Sequence, residues 1–154
     1  MALLNKIFLL ALILSAPLAQ ANSIPAKLLD SATQLNGAPF KPQTQKVLLY
    51  FWATWCPSCK QKLEAEFPKV QLPANVALVT VNTDKEADRA SHFVEKEGMK
   101  LTVIRDQDKA LTNALKLFAV PAWAVLSREK DKSWKVLDSG TGGEMSKILE
   151  AARK

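Results

Sequence analysis

Apolar residues run unbroken from Val47 to Ala53 (Val-Leu-Leu-Tyr-Phe-Trp-Ala). Lys46 to Ala53 is therefore predicted to be a central strand covered on both faces. The period then changes. Leu63, Phe67 and Val70 recur at helical spacing, which predicts a helix from Cys56 or Pro57 toward Val70. Pro68 should kink it or end it early. Val76 to Val81 reads as a second buried strand. Lys85 to Gly98 reads as a helix with Ala87, Ala90, Phe93 and Val94 inward and Gly98 as its stop. Leu101 to Ile104 is a third, short strand. Ala110, Leu111, Ala114 and Leu115 make another helix face. Ala122 to Leu126 and Ser133 to Leu137 flank a charged turn and predict an antiparallel hairpin. Gly140, Gly142 and Gly143 are read as a break. Glu144 to Lys154 closes the chain as an amphipathic helix through Met145, Ile148, Leu149 and Ala152. This order, β-α-β-α-β-α-β-β-α, predicts an α/β fold with a mixed central sheet flanked by helices.

The stretch before the first central strand is mixed. Leu35-Asn36-Gly37-Ala38-Pro39-Phe40 places Asn-Gly, a strong turn signal, between apolar residues and predicts a hairpin or paired edge strands. The N-terminus has targeting character. Met1 to Lys6 is short and positively charged, Ile7 to Leu14 is wholly apolar, and Ala19-Gln20-Ala21 is an A-x-A cleavage site. Residues 1–21 are read as a signal peptide and 22–154 as one domain, exported to the periplasm or beyond. The apolar run is short for a membrane span, so an uncleaved anchor is the lesser alternative. Removing Lys6 lowers the formal charge of +6 by one. Lysines alternate with acids along the chain, a pattern of a solvated surface rather than a nucleic-acid site.

Chemistry concentrates in Trp55-Cys56-Pro57-Ser58-Cys59-Lys60, which holds both cysteines of the chain. At a strand end and helix start, such a pair forms a disulfide that opens and closes easily. Orphan N–H groups and the partial positive charge of the helix start stabilise a thiolate, the reactive species. Pro57 suits the first helical position. A purely structural disulfide gains little from so short a loop. A structural zinc site wants four ligands, and the one histidine, His92, is far away in sequence. Haem attachment needs histidine after the second cysteine, where Lys60 stands. Redox chemistry is the leading reading, with metal binding or an inert thiol pair as the remainder. Neither a resident metal nor a cofactor beyond the Cys56–Cys59 pair is expected.

Phe51-Trp52-Ala53-Thr54-Trp55-Cys56-Pro57-Ser58-Cys59-Lys60 resembles the active-site segment of thioredoxin-fold proteins, and most of all the exported TlpA/ResA/DsbE-type thiol–disulfide oxidoreductases. The resemblance covers roughly Ala32 to Ala152. It implies a thioredoxin fold with an N-terminal hairpin-like extension, and a helical insertion after Asp84. It also implies a cis-proline at Val120-Pro121, with the Val120 backbone pairing with substrate; an ordinary trans proline at a strand start is the alternative. Two departures stand out. Tyr50 occupies the place of the buried thioredoxin aspartate, and Lys62 that of a glutamate common in the ResA-like group. Ala122 also follows Pro121 where the cytochrome-maturation subgroup usually has glutamate. The usual acids that serve the second cysteine are therefore expected to be missing, with Glu64 and Glu66 facing solvent.

Cys56 is expected to be the nucleophile, its pKa lowered from about 8.5 into the range of roughly 3.5–7.5 found in such motifs. Cys59 would resolve the mixed disulfide. Trp55, Pro57 and Ser58 would support them, with Trp55 packing on a bound polypeptide. Trp52 and Trp134 are assigned to packing, Trp123 to core or substrate groove. The expected function is a monomeric reductase of protein disulfides, supplied by a membrane electron partner and serving cytochrome c maturation or a similar task. The rivals are a disulfide-forming oxidase and a non-catalytic thiol- or copper-binding module. The large helical insertion of dedicated periplasmic oxidases has no room here.

Overall fold

The computed structural model describes residues 22–154, so the expected signal peptide, residues 1–21, lies outside the described residues. The elements are β1 (Ser23–Ile24), α1 (Ala26–Asp30), β2 (Lys46–Trp52), α2 (Pro57–Ala65), a 3-10 turn (Phe67–Lys69), β3 (Val76–Asn82), α3 (Ala87–Lys96), β4 (Val103–Arg105), α4 (Ala110–Ala114), β5 (Ala122–Arg128), β6 (Trp134–Thr141) and α5 (Met145–Arg153). The sheet order is β1-β6-β5-β2-β3-β4. β2, β3 and β4 are parallel, and β5, β6 and β1 join antiparallel.

β2 is central and its alternation divides the core. Val47, Leu49 and Phe51 join one hydrophobic cluster with Leu29 of α1 and Leu111 of α4. Leu48, Tyr50 and Trp52 join the other, with both cysteines, Leu63 of α2, Ala90 of α3 and Ile148 of α5. Because both faces are buried, the strand reads as one apolar run. α2 ends at Ala65, and the chain tightens into the 3-10 turn at Pro68, as a residue without a backbone donor requires.

Three departures from the sequence reading have physical causes. The Asn36-Gly37 turn is present, with Gly37 at φ +83°. It carries a single Thr33–Pro39 bridge rather than strands, and Gln34 crosses to Ile104 to cover the edge of β4. Gly140 does not break the chain. It lies within β6, where an added Cβ would meet the Trp123 indole at 3.1 Å, so glycine lets the ring lie flat on the strand. β1 and α1 carry no clear pattern of their own; β1 forms by pairing with Trp134 and Lys135.

α1 is tied to the sheet by one carboxylate. Asp30 accepts a fork of hydrogen bonds from Arg128 (2.9 and 2.7 Å) and one from Trp134 Nε1 (3.0 Å). The Arg128 guanidinium lies 4.3 Å from the ring centre of Trp134. Asp30→Ala leaves the buried indole N–H unpartnered and should cost about 1–3 kcal/mol. Trp134→Ala should cost about 3–5 kcal/mol, because it empties a fully buried site. Urea denaturation of the two variants tests this ranking; equal losses would contradict it.

Candidate active site

Three loops meet at one end of the sheet. β2 and β3 are parallel and in register at Trp52 and Asn82, so the segments that follow them leave side by side. β5 runs the other way, and Phe51 pairs with Ala122, which brings Val120 and Pro121 to the same end. The Val120–Pro121 bond is cis. Ligands collect at the carboxyl ends of parallel strands in such sheets.

The loop holding the cysteines is bound to its neighbour through Asp84. This carboxylate is buried. It accepts from the Thr54 backbone N–H (2.9 Å), the Thr54 hydroxyl (3.1 Å) and the Asn82 amide (2.7 Å). Asn82 returns the bond by accepting from the Asp84 N–H at 3.1 Å. Thr83 donates its N–H to the Trp52 carbonyl at 2.9 Å. A buried charge with this many donors is compensated and fixes the loop two residues ahead of Cys56. The sequence reading assigned Asp84 no role beyond marking where an insertion begins. Its signal was there: Asn82-Thr83-Asp84 is a polar run ending an apolar strand.

Cys56 is the N-cap of α2 and Pro57 its first residue. Cys56 and Cys59 form a disulfide. Cys56 Sγ accepts from the Cys59 N–H at 3.2 Å and lies 3.6 Å from the Ser58 hydroxyl. Cys56 is not openly exposed. It retains 4% of its surface, whereas Cys59 retains none. The flanking Trp55, Pro57 and Ser58 are exposed instead, Trp55 at 66%. The first sulfur is thus reached through a narrow opening and the second is closed off.

Behind the cysteines, Tyr50 fills the place where an acid was sought. Its ring is buried and 4.7 Å from that of Phe67, and its hydroxyl has no hydrogen-bond partner. Burial, reinforced by the negative charge of Glu66, pushes its pKa well above the ordinary value. Glu66 does not face open solvent as expected. It is half-buried and paired with Lys62 at 3.2 Å. Glu64 is exposed, and so is His92. Trp52 is core, in tilted contact with Phe93 at 5.5 Å, while Trp123 is half-buried on the cysteine face. Among the described residues, no group of three or more His, Cys, Asp or Glu is placed to hold a metal ion, and no helix is long and apolar enough to cross a membrane.

Known proteins match this chain along most of its length. A family model described as Redoxin matches residues 19–151. The sporulation thiol-disulfide oxidoreductase A of Bacillus subtilis is 26% identical over 112 residues, covering 70% of this chain and 68% of that protein. The soluble secreted antigen MPT53 of Mycobacterium tuberculosis is 30% identical over 81 residues, or 51% of this chain, which span about half (47%) of its own length. The crystal structure of StoA from Bacillus subtilis superposes with a TM-score of 0.65 at 20% identity, over 79% of this chain and 94% of that one, and shows the shared thioredoxin fold.

Two outcomes follow from Tyr50 and Asp84. A tyrosine whose pKa is raised by folding contributes stability that is intact below its unfolded value of about 10 and is lost as pH rises above it. Tyr50→Phe should therefore flatten the fall in unfolding free energy above pH ~10; an unchanged alkaline slope would contradict this. Asp84→Ala should cost about 2–4 kcal/mol by stranding buried donors, with Asp84→Asn milder. Amide exchange at Thr54 should accelerate in both, and unchanged exchange there would remove Asp84 as the anchor of the loop.

Proposed function

This chain belongs to the Redoxin family as a thioredoxin-like thiol–disulfide oxidoreductase, and we propose that it reduces disulfides of exported proteins, with Cys56 as nucleophile and Cys59 as resolving thiol. The observation that carries the reading is the asymmetry of the pair. Cys56 caps a helix start and keeps a small exposed surface; Cys59 lies one turn deeper with none.

In the reduced protein, the Cys56 thiolate attacks one sulfur of a substrate disulfide. A Cys56–substrate disulfide forms, the substrate S–S bond breaks, and the departing thiolate takes a proton from solvent. Cys59 gives up its proton to solvent and, as the thiolate, attacks Cys56 Sγ. The mixed disulfide breaks, the second substrate sulfur leaves as a thiolate that solvent protonates, and the Cys56–Cys59 disulfide forms. Two electrons pass from the protein dithiol to the substrate. The Val120 backbone at the same sheet end would hold the substrate beside Cys56, with Pro121 shaping the loop. The redox-active pair is the only group the cycle needs, so no other cofactor is invoked.

Reduction is favoured over oxidation because the large helical insertion expected of dedicated periplasmic oxidases is absent among the described residues. Strong oxidants stabilise their reduced form. Here the Cys59 N–H and the Ser58 hydroxyl at the helix start would stabilise a Cys56 thiolate, and neither carries a full charge. Between β3 and β4 the chain holds one helix, α3, with no further helical insertion among the described residues. The secreted relative and the A-x-A segment support export, with a membrane protein returning electrons to the oxidised pair. Cytochrome c maturation is one task such a monomeric reductase would serve.

Cys56→Ser should abolish disulfide reduction. Cys59→Ser should accumulate mixed disulfides with substrates. Timed alkylation of the reduced protein at neutral pH, read by mass spectrometry, should label Cys56 first. Faster labelling of Cys59 would reverse the roles.

A further inference from the structure

The turn at Asn36-Gly37 fastens a strap over the sheet edge. The Thr33 carbonyl accepts from the Arg105 N–H (2.8 Å), Leu35 donates its N–H to the Val103 carbonyl (3.0 Å), and Gln34 bridges to Ile104. Thr33 to Leu35 thus cover β4. The turn itself is held lightly. Gln34 donates its N–H to the Ala38 carbonyl at 2.9 Å, Gly37 donates to the Gln34 carbonyl at 3.0 Å, and Ala38 donates to the Asn36 side-chain oxygen at 3.0 Å. Asn36 and Gly37 are both exposed. Gly37, at φ +83°, has open space where a Cβ would stand. Every other asparagine of the chain is followed by a residue that carries a side chain.

Independently of the thiol–disulfide reading, we propose that Asn36 is a site of spontaneous modification: its side-chain amide is lost through a cyclic imide with Gly37, and the isoaspartate that water then forms loosens the strap on β4. Asparagine is among the chemically labile residues of proteins. The Gly37 nitrogen attacks Cγ of Asn36. A new N–C bond forms, the bond to the side-chain nitrogen breaks, and that nitrogen leaves as ammonia with the proton given up by Gly37. Water adds to one of the two imide carbonyls and opens the ring to aspartate or isoaspartate. No electrons are transferred. Glycine favours the closure because no Cβ crowds its nitrogen. The turn slows the step without blocking it. The Gly37 N–H must leave the Gln34 carbonyl, and Asn36 Oδ1 must release the Ala38 N–H, before the reacting atoms meet. An exposed turn with few bonds opens locally far more readily than the sheet. Isoaspartate then routes the main chain through the former side chain. The backbone gains one carbon, a carboxylate is left beside the turn, and the bonds of Gln34 to Gly37 and Ala38 lose their register. The strap's hold on Val103 and Arg105 weakens, and the edge of β4 is uncovered.

The test incubates the oxidised full-length protein in mildly alkaline buffer, beside a linear peptide of the sequence Ala32 to Phe40 and the Asn36→Ser protein. Peptide mapping by mass spectrometry, with enzymatic methylation to mark isoaspartate, follows residue 36. Asn36 should convert in the folded protein about 5–30-fold more slowly than in the peptide, because the turn must open first. In the aged protein, amide exchange at Leu35 and Arg105 should accelerate at least about tenfold, while exchange in β2 stays as it was. Asn36→Ser protein of the same age should show neither change. Failure of Asn36 to convert while the peptide does would overturn the site. Conversion with unchanged exchange at Arg105 would overturn the loosening of the strap. So would the same acceleration in aged Asn36→Ser protein. None of these outcomes depends on the activity of the cysteine pair.

Discussion

A strand whose side chains are buried on both faces has one register available to it. Shifting β2 by a single residue would move Tyr50 and Trp52 to the face of Phe51 and strand every neighbour. That constraint sets the reactive end of the molecule. With Trp52 fixed beside Asn82 and Phe51 beside Ala122, the three loops that follow or precede these residues have nowhere else to meet. The position of Cys56 is thus decided by packing some distance from it.

What the sheet positions, Asp84 makes rigid. A loop between a strand and a helix ordinarily satisfies its backbone with water. Here the Thr54 N–H and hydroxyl are turned inward to a carboxylate on the next loop. The helix start that carries Cys56 is therefore joined to β3 as well as to β2. Apolar burial supplies most of the stability, while this polar clasp supplies the alignment. The same division holds at the far edge, where Asp30 aligns α1 on a sheet already held by β5 and β6.

Much of this was legible in the sequence because it is written in local periods. The run from Val47 to Ala53, the stop at Pro68 and the stripe through Met145 and Ile148 each declare their element without outside help. The pairing of Cys56 with Cys59 is equally local. What escaped depends on distant partners. Gly140 looks like a chain breaker until the Trp123 indole is laid over it. Ser23 and Ile24 become a strand because β6 is there to pair with. Phe118 has no periodic signature, and only the fold brings it to the pocket that Trp55 also lines. Tyr50 was rightly read as filling the acid's place, but the half-burial of Glu66 beside it depends on how the end of α2 folds into the 3-10 turn.

The proposed direction of electron flow depends on the potential of the enclosed pair. The proposed reductase direction requires that the helix-start donors stabilise the Cys56 thiolate only modestly, so that the couple does not strongly favour its reduced form. The most direct measurement is the reduction potential of the Cys56/Cys59 couple, obtained by equilibrating the full chain in graded glutathione or dithiothreitol buffers and counting free thiols. A reductase of this construction should lie near about −270 mV; a value near about −120 mV, that of a strong oxidant, would contradict it.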